Sequence, residues 1–178
     1  MASGRQHDRA TVLLALPFGV LWWPLLGPLG TAVVSLAFLI GGLWLSPDLD
    51  IRSRASRRWG PLQWLWWPYR RVLRHRSPLS HSPLLGTALR LGYLGGLLIL
   101  FALALTPWGG PEPLALLQPI ADLWQHRRPL LIAALLGVEA SCWLHLILDG
   151  DPTPRLPGLV RARRRAAGRT GERKRTKA

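Results

Sequence analysis

The chain is short of acid. Nine Asp and Glu stand against 23 Lys and Arg in 178 residues, for a formal net charge of +14. So few carboxylates make each one's position informative. Cysteine is almost absent: Cys142 is the single one, which excludes an intrachain disulfide and says little about compartment. No internal repeat is evident. An ordinary basic soluble protein is excluded as well, because 49% of the residues are hydrophobic and they are clumped.

Four apolar blocks carry most of that hydrophobicity: Thr11–Leu29, Thr31–Leu45, Pro83–Thr106 and Pro129–Leu148. Each is near the ~20 residues needed to cross a bilayer core. The expected fold is an all-α integral membrane bundle of about four apolar helices with a polar face, over residues 1–154. The first block is the weakest span. Pro17, Pro24 and Pro28 interrupt it, and a helix over residues 11–26 reaches only about 24 Å. A kinked or re-entrant helix fits it. A signal peptide fits less well, because no small-x-small cleavage site follows and Asp8 sits badly in the flank. Residues 155–178 are basic with almost no large apolar side chains, and are expected to form a disordered or surface-associated tail.

The cations give the orientation. Two precede the first block, eight lie between Ile51 and Ser82, and ten follow the fourth block. If each block crosses, these 20 of the 23 share one side, which the positive-inside rule makes cytoplasmic. Arg90, inside the third block, is expected to snorkel toward the block's start. The segment "RRWGPLQWLWWPYRR", residues 57–71, mixes Arg with Trp and Tyr and suits the headgroup layer. Single-stranded nucleic acid takes similar chemistry. The apolar blocks on either side make the bilayer the better partner, with anionic headgroups met by this segment and the tail.

The rare acids and histidines fall in a pattern. His7 and Asp8 precede the first block, Asp48 and Asp50 follow the second, His75 and His81 precede the third, and His145 and Asp149 end the fourth, with Asp151 just beyond. In an up-down-up-down bundle all these positions lie at one end, the cytoplasmic one. Imidazoles and carboxylates together are a ligand set for a divalent transition metal. His145 and Asp149, four apart, share a helix face. Asp48 and Asp50 point the same way if the backbone after Pro47 is extended. Each piece also has a plain structural explanation. Ser46-Pro47-Asp48 reads as a helix cap, Asp48 and Asp50 can neutralise Arg52 and Arg54, Asp149-Gly150 can end a helix, and Ser82-Pro83 can cap another. Their convergence at one end favours a joint site. Glu139, mid-block and about 120° around the helix from His145, is expected to pair with Arg90 or a polar group on another helix.

Taken together, "SGRQHD" (3–8), "LSPDLD" (45–50), "RRWGPLQWLWWPYR" (57–70), "HRSPLSH" (75–81) and "HLILD" (145–149) resemble a family of small bacterial membrane proteins that bind metal. That family is similar to the YdjM-type membrane-bound metal-dependent hydrolases, and distantly to zinc-dependent phospholipase C and its nuclease relatives. The resemblance implies that His7, Asp48, Asp50, His75, His81, His145 and Asp149 are metal ligands and that the protein sits in the bacterial inner membrane. The chain has fewer histidines than the larger enzymes.

The expected function is metal-assisted hydrolysis of a phosphoester or lipid-linked substrate. Zinc suits the donor set first, then manganese or iron. Asp50 or Asp8 is the expected general base, and Arg76 the expected phosphate-binding residue. The competing expectations are a non-catalytic protein whose metal staples the helix ends, and an adaptor for anionic lipid.

Overall fold

The computed structural model describes residues 2–73, 75 and 77–150, which form α-helices and 3-10 turns with no strand among them. The tail expected over 155–178 lies outside the described residues. Helix α1 (Gly4–Val20) starts at a capping box. The Ser3 hydroxyl accepts from the Gln6 N–H while the Gln6 side chain accepts from the Ser3 N–H. Its buried stripe, His7, Thr11, Ala15 and Gly19, recurs every four residues and faces α2 (Trp23–Leu43). The two run antiparallel, with Gly19 against Thr31 and Ser35 at one end and Thr11 against Gly42 at the other.

Three helical stretches are long and apolar enough to cross a membrane: Trp23–Asp50, Leu85–Trp108 and Arg128–Leu148. The expected fourth, Thr11–Leu29, does not exist as one span. Helix α1 stops at Val20, and Trp23–Leu29 belongs to α2. Proline explains the break. Pro24 sits in the first turn of α2, and Pro28 lacks the N–H a helix interior needs, so the chain kinks at Gly27 with φ +62°. The remainder, α1, carries Arg5, Asp8 and Arg9 in its first two turns.

Between the spans lie the short helices α3 (Arg54–Arg58), α4 (Trp67–Val72) and α5 (Pro78–His81). Helix α6 (Leu85–Leu105) leads away from them, α7 (Gln118–His126) follows, and α8 (Arg128–Leu148) returns. Helix α8 runs parallel to α2. Gly137 meets Val34 and Ala37, Gly41 meets Val138 and Ser141, and Ser46 meets His145. Small residues let the two backbones approach closely, the packing mode of helices in lipid. The starts of α1 and α6 and the ends of α2 and α8 thus lie at one end of the molecule, as the alternation of blocks predicts.

A compact cluster supports that end. Leu45, Leu49, Ala55, Trp66 and Tyr69 are buried together, with Trp59, Leu73 and Tyr93 packed against them. The segment expected at the headgroups is therefore divided. Trp64 and Trp67 are exposed, but Trp66 is fully buried, edge-on to Tyr69 and Trp59.

A Cβ on Gly41 would lie 2.9 Å from the Val138 backbone, whereas one on Gly92 would meet nothing within 4 Å. Gly41→Leu should therefore destabilise the protein by about 1–3 kcal/mol or more, through forced helix separation. Gly92→Leu should be near neutral. Thermal unfolding of the two variants in one detergent checks the contrast.

Candidate metal centre

Local structure places each ligand candidate. The Ser3 cap sets the first turn of α1 and leaves His7 on its buried face. Residues Pro47–Asp50 form a 3-10 turn capped by Ser46, not the extended backbone expected there. At about 120° per residue, positions two apart in such a turn diverge. Asp48 and Asp50 share His81, but Asp48 turns otherwise to His145 and Asp50 to His75, and Leu49 between them enters the buried cluster. Ser77 caps the turn that carries His81, accepting the Ser80 N–H at 3.2 Å, while α6 begins after Leu84 with no side-chain cap from Ser82. His145 and Asp149 lie one turn apart at the end of α8, with Nε2 and Oδ2 3.6 Å apart.

Seven side chains meet in two groups. Asp48, Asp50, His75 and His81 form one, and His7, His145 and Asp149 the other; within each, the ligand atoms lie within 4.8 Å of one another. Asp50 Oδ1 is 3.0 Å from His75 Nδ1, and its Oδ2 is 3.4 Å from His81 Nδ1. Asp149 Oδ1 is 3.2 Å from His7 Nε2. The His7 and His145 rings stack at 4.0 Å. Asp48 joins the groups: its Oδ1 lies 3.7 Å from His81 Nε2 and 3.5 Å from His145 Nε2.

These residues fit a divalent cation. His7 Nδ1, His81 Nε2 and His145 Nε2 are buried without a hydrogen-bond partner. Orphaned donors and acceptors of this kind are costly unless something satisfies them. Ligand atoms at tetrahedral corners about 2.0–2.1 Å from zinc stand about 3.3 Å apart. The separations of 3.2–3.7 Å around Asp48 and Asp149 bracket that spacing. Without a cation, a proton takes part of that role. Burial works against a charged His81, but Asp48 and Asp50 outweigh it and push its imidazole up to about 9. For His7, burial and the neighbouring His145 lower the pKa, against the pull of Asp149 and Asp48.

The other candidates stand elsewhere. Asp8 Oδ2 accepts from Arg54 Nε at 2.7 Å and pairs with Arg58, tying α3 to α1, and Asp8 belongs to neither ligand group. Burial opposes its ionisation, but the two guanidinium groups hold it below the usual carboxylate range. Arg76 and Asp151 lie outside the described residues. Arg90 does turn toward the start of α6 as expected, but it is buried rather than snorkelling. It donates to the Ser80 carbonyl at 3.0 Å and to Thr87 Oγ1 at 3.1 Å. Glu139 finds its partner on another element: Oε1 accepts the Leu84 N–H at 2.8 Å. Leu84 holds φ +61°, an unfavourable region for a leucine, at the entry to α6.

Sequence reasoning missed three supporting residues. Ser46 Oγ lies 3.4 Å from His145 Nδ1, and Ser80 Oγ 3.0 Å from His81 Nδ1. Such contacts orient imidazole ligands. Arg90 fixes the turn bearing Ser80 and His81. The signal for the serines was their place within two residues of a candidate ligand.

The model of the family described as uncharacterized metal-binding protein (DUF2227) matches residues 2–155. An uncharacterized protein of Aquifex aeolicus (strain VF5) is 45% identical over 60 residues, 33% of this chain and 42% of that relative. The chain thus covers less than half the length of that relative. No solved structure matches.

The Asp8 clamp has a pH signature. Its depressed pKa contributes stability that is present above the unfolded value of 3.8 and lost as pH falls through the folded one. Asp8→Asn should cost about 1 kcal/mol near neutral pH, since the pair is part-exposed. It should also remove that part of the acid-side loss and leave metal content unchanged. Denaturation at pH 7 and pH 3, with metal analysis, measures all three.

Proposed function

The chain belongs to that family of metal-binding proteins, and we propose that it is an integral membrane hydrolase whose two ligand groups, joined at Asp48, hold two divalent cations for attack on a phosphoester. The observation that carries this reading is the shared Asp48 carboxylate between two groups with orphaned buried ligand atoms. Four ligands are enough to close a structural site. Seven in two groups suit a pair of cations better and leave His75 over for proton transfer. Zinc fits the mixed imidazole and carboxylate set, with manganese or iron next. When bound, such cations would polarise a phosphoryl oxygen and make water acidic.

The chain's own groups take the other roles. Asp50 is buried and presents one oxygen to His75 and one to His81. It orients them more readily than it acts as a free base. His75 is the most exposed imidazole of the seven-residue set. Oriented by Asp50, it is placed to take a proton from attacking water and return one to the leaving alcohol as the P–O bond breaks. Asp8, held by two arginines, serves the fold. The motif-level resemblance to membrane-bound hydrolases supports the same reaction class.

The second reading is a structural staple. It is favoured by the fact that the ligands come from four separate segments, at residues 7, 48–50, 75–81 and 145–149. Purified protein in detergent should carry about two divalent ions per chain, and Asp48→Asn should lose both. His75→Gln should lower turnover of phosphomonoester or phosphodiester substrates by about 100-fold while keeping at least one ion. One tightly held ion, with no turnover in either substrate class, would leave the staple standing.

The membrane topology follows from charge. With 20 of 23 cations at or beyond the site end of the chain's crossings, that end is cytoplasmic. Reporters fused after Ala178 and inserted near Gly110 should give opposite sides; matching signals would overturn the topology.

A further inference from the structure

The turn that delivers His81 is strained. Leu84 holds φ +61° and ψ −59°, and the Leu85 N–H closes back onto the Pro83 carbonyl at 2.7 Å. This is the γ-turn of positive φ, a rare and strained form, with a leucine at its centre. Such strain persists only where the surroundings over-determine it, and it clusters at functional sites. Two buried ionisable side chains supply the restraint. After His81, Glu139 Oε1 accepts the Leu84 N–H at 2.8 Å. Before it, Arg90 donates to the Ser80 carbonyl at 3.0 Å, and its other nitrogen donates to Cys142 Sγ at 3.4 Å. Glu139 and Cys142 both belong to α8. The turn is thus held at both ends, and both holds lead to the same helix.

Helix α8 also carries His145 and Asp149, the first of them about 9 Å along the axis from Glu139. One helix therefore serves both ligand groups, directly through His145 and Asp149 and indirectly through the turn that bears His81. Apolar packing does less for α6: 11% of its apolar window is buried within the protein, against 44% for each of the other two spans. Polar ties at its start matter correspondingly more. We propose that Glu139 and Arg90 are positioning residues that set the separation of the two ligand groups by fastening the 80–84 turn to α8. The inference rests on the two-cation reading for its consequence, but the tie itself is tested without a cation.

Full-length protein in detergent is stripped of metal and titrated with cobalt(II), followed by visible absorption. Glu139→Leu, which removes the acceptor, should weaken one of two ions by about 10–100-fold. The ion held by His7, His145 and Asp149 should stay. Glu139→Gln keeps an oxygen for the Leu84 N–H and should bind both ions like the unaltered protein. Leu84→Gly removes the strain of a side chain at positive φ, and in the Glu139→Leu background it should recover part of the loss. Gly86→Ala reaches the turn independently. Its Cβ would stand 2.7 Å from the Ser80 carbonyl oxygen, and it should weaken the same ion. In metal-free protein with labelled histidines, the His81 ring resonance should move in Glu139→Leu and Gly86→Ala and hold in Glu139→Gln, with His7 fixed in all three. An unmoved His81, or equal losses from Glu139→Gln and Glu139→Leu, would overturn the proposal. A single cobalt site in the unaltered protein would instead sink the two-cation reading, and the His81 signal would still decide the tie.

Discussion

One carboxylate oxygen organises this end of the molecule. Asp48 Oδ1 stands between His81 and His145, and through them between the start of α6 and the end of α8. A buried cluster of imidazoles and carboxylates is expensive in isolation, because desolvation of each charge opposes folding. It is tolerable only where opposite charges, protons or cations satisfy it. The close approach of α2 and α8 is what brings Asp48 and His145 together. That approach depends in turn on glycines at the contact, Gly41 and Gly137. Packing in the apolar part of the protein therefore sets ligand spacing at its polar end.

The turn that carries His81 is held from inside the apolar region. Arg90 reaches back to the Ser80 carbonyl, and Glu139 on α8 takes the N–H of Leu84, whose positive φ is otherwise unfavourable. Both are ionisable groups placed within candidate spans, where such groups are costly and tend to mark function. Each bonds a backbone group of the turn rather than a candidate ligand side chain. A small displacement of the 77–84 turn would move His81 relative to Asp48 and Asp50. This makes the two buried ions positioning residues of the centre rather than members of it.

Much of this was legible because membrane topology is a strong constraint. Blocks of about the right length alternate in direction, so residues at the outer ends of each must meet. Alternation gathers nine polar residues from His7 to Asp151 at one end, and seven of them, from His7 to Asp149, stand close together there. What alternation does not encode is local geometry. The 3-10 turn at Pro47–Asp50 turns two aspartates apart that an extended chain would align, so that Asp48 reaches His145 while Asp50 reaches His75. The lost fourth span has a similar origin. Pro24, Gly27 and Pro28 act on hydrogen bonds and dihedrals, which a hydropathy block averages away. Asp8 was placed at the right end, but its commitment to Arg54 and Arg58 depended on where α3 docks, and nothing in the spacing announces that.

The uneven covering of the spans bears on function. Helices α2 and α8 bury each other, while α6 departs from the bundle soon after the turn that delivers His81. A purely structural metal would be best served by four ends tied to four well-packed helices. Here the ligand-bearing turn leads into α6, which the rest of the protein covers little. His7 and His145 sit on helices packed against each other, while the other candidate ligands sit on turns or at helix ends beside a helix that the protein leaves largely uncovered, an asymmetry that suits a centre with an open side better than one that only holds the chain together.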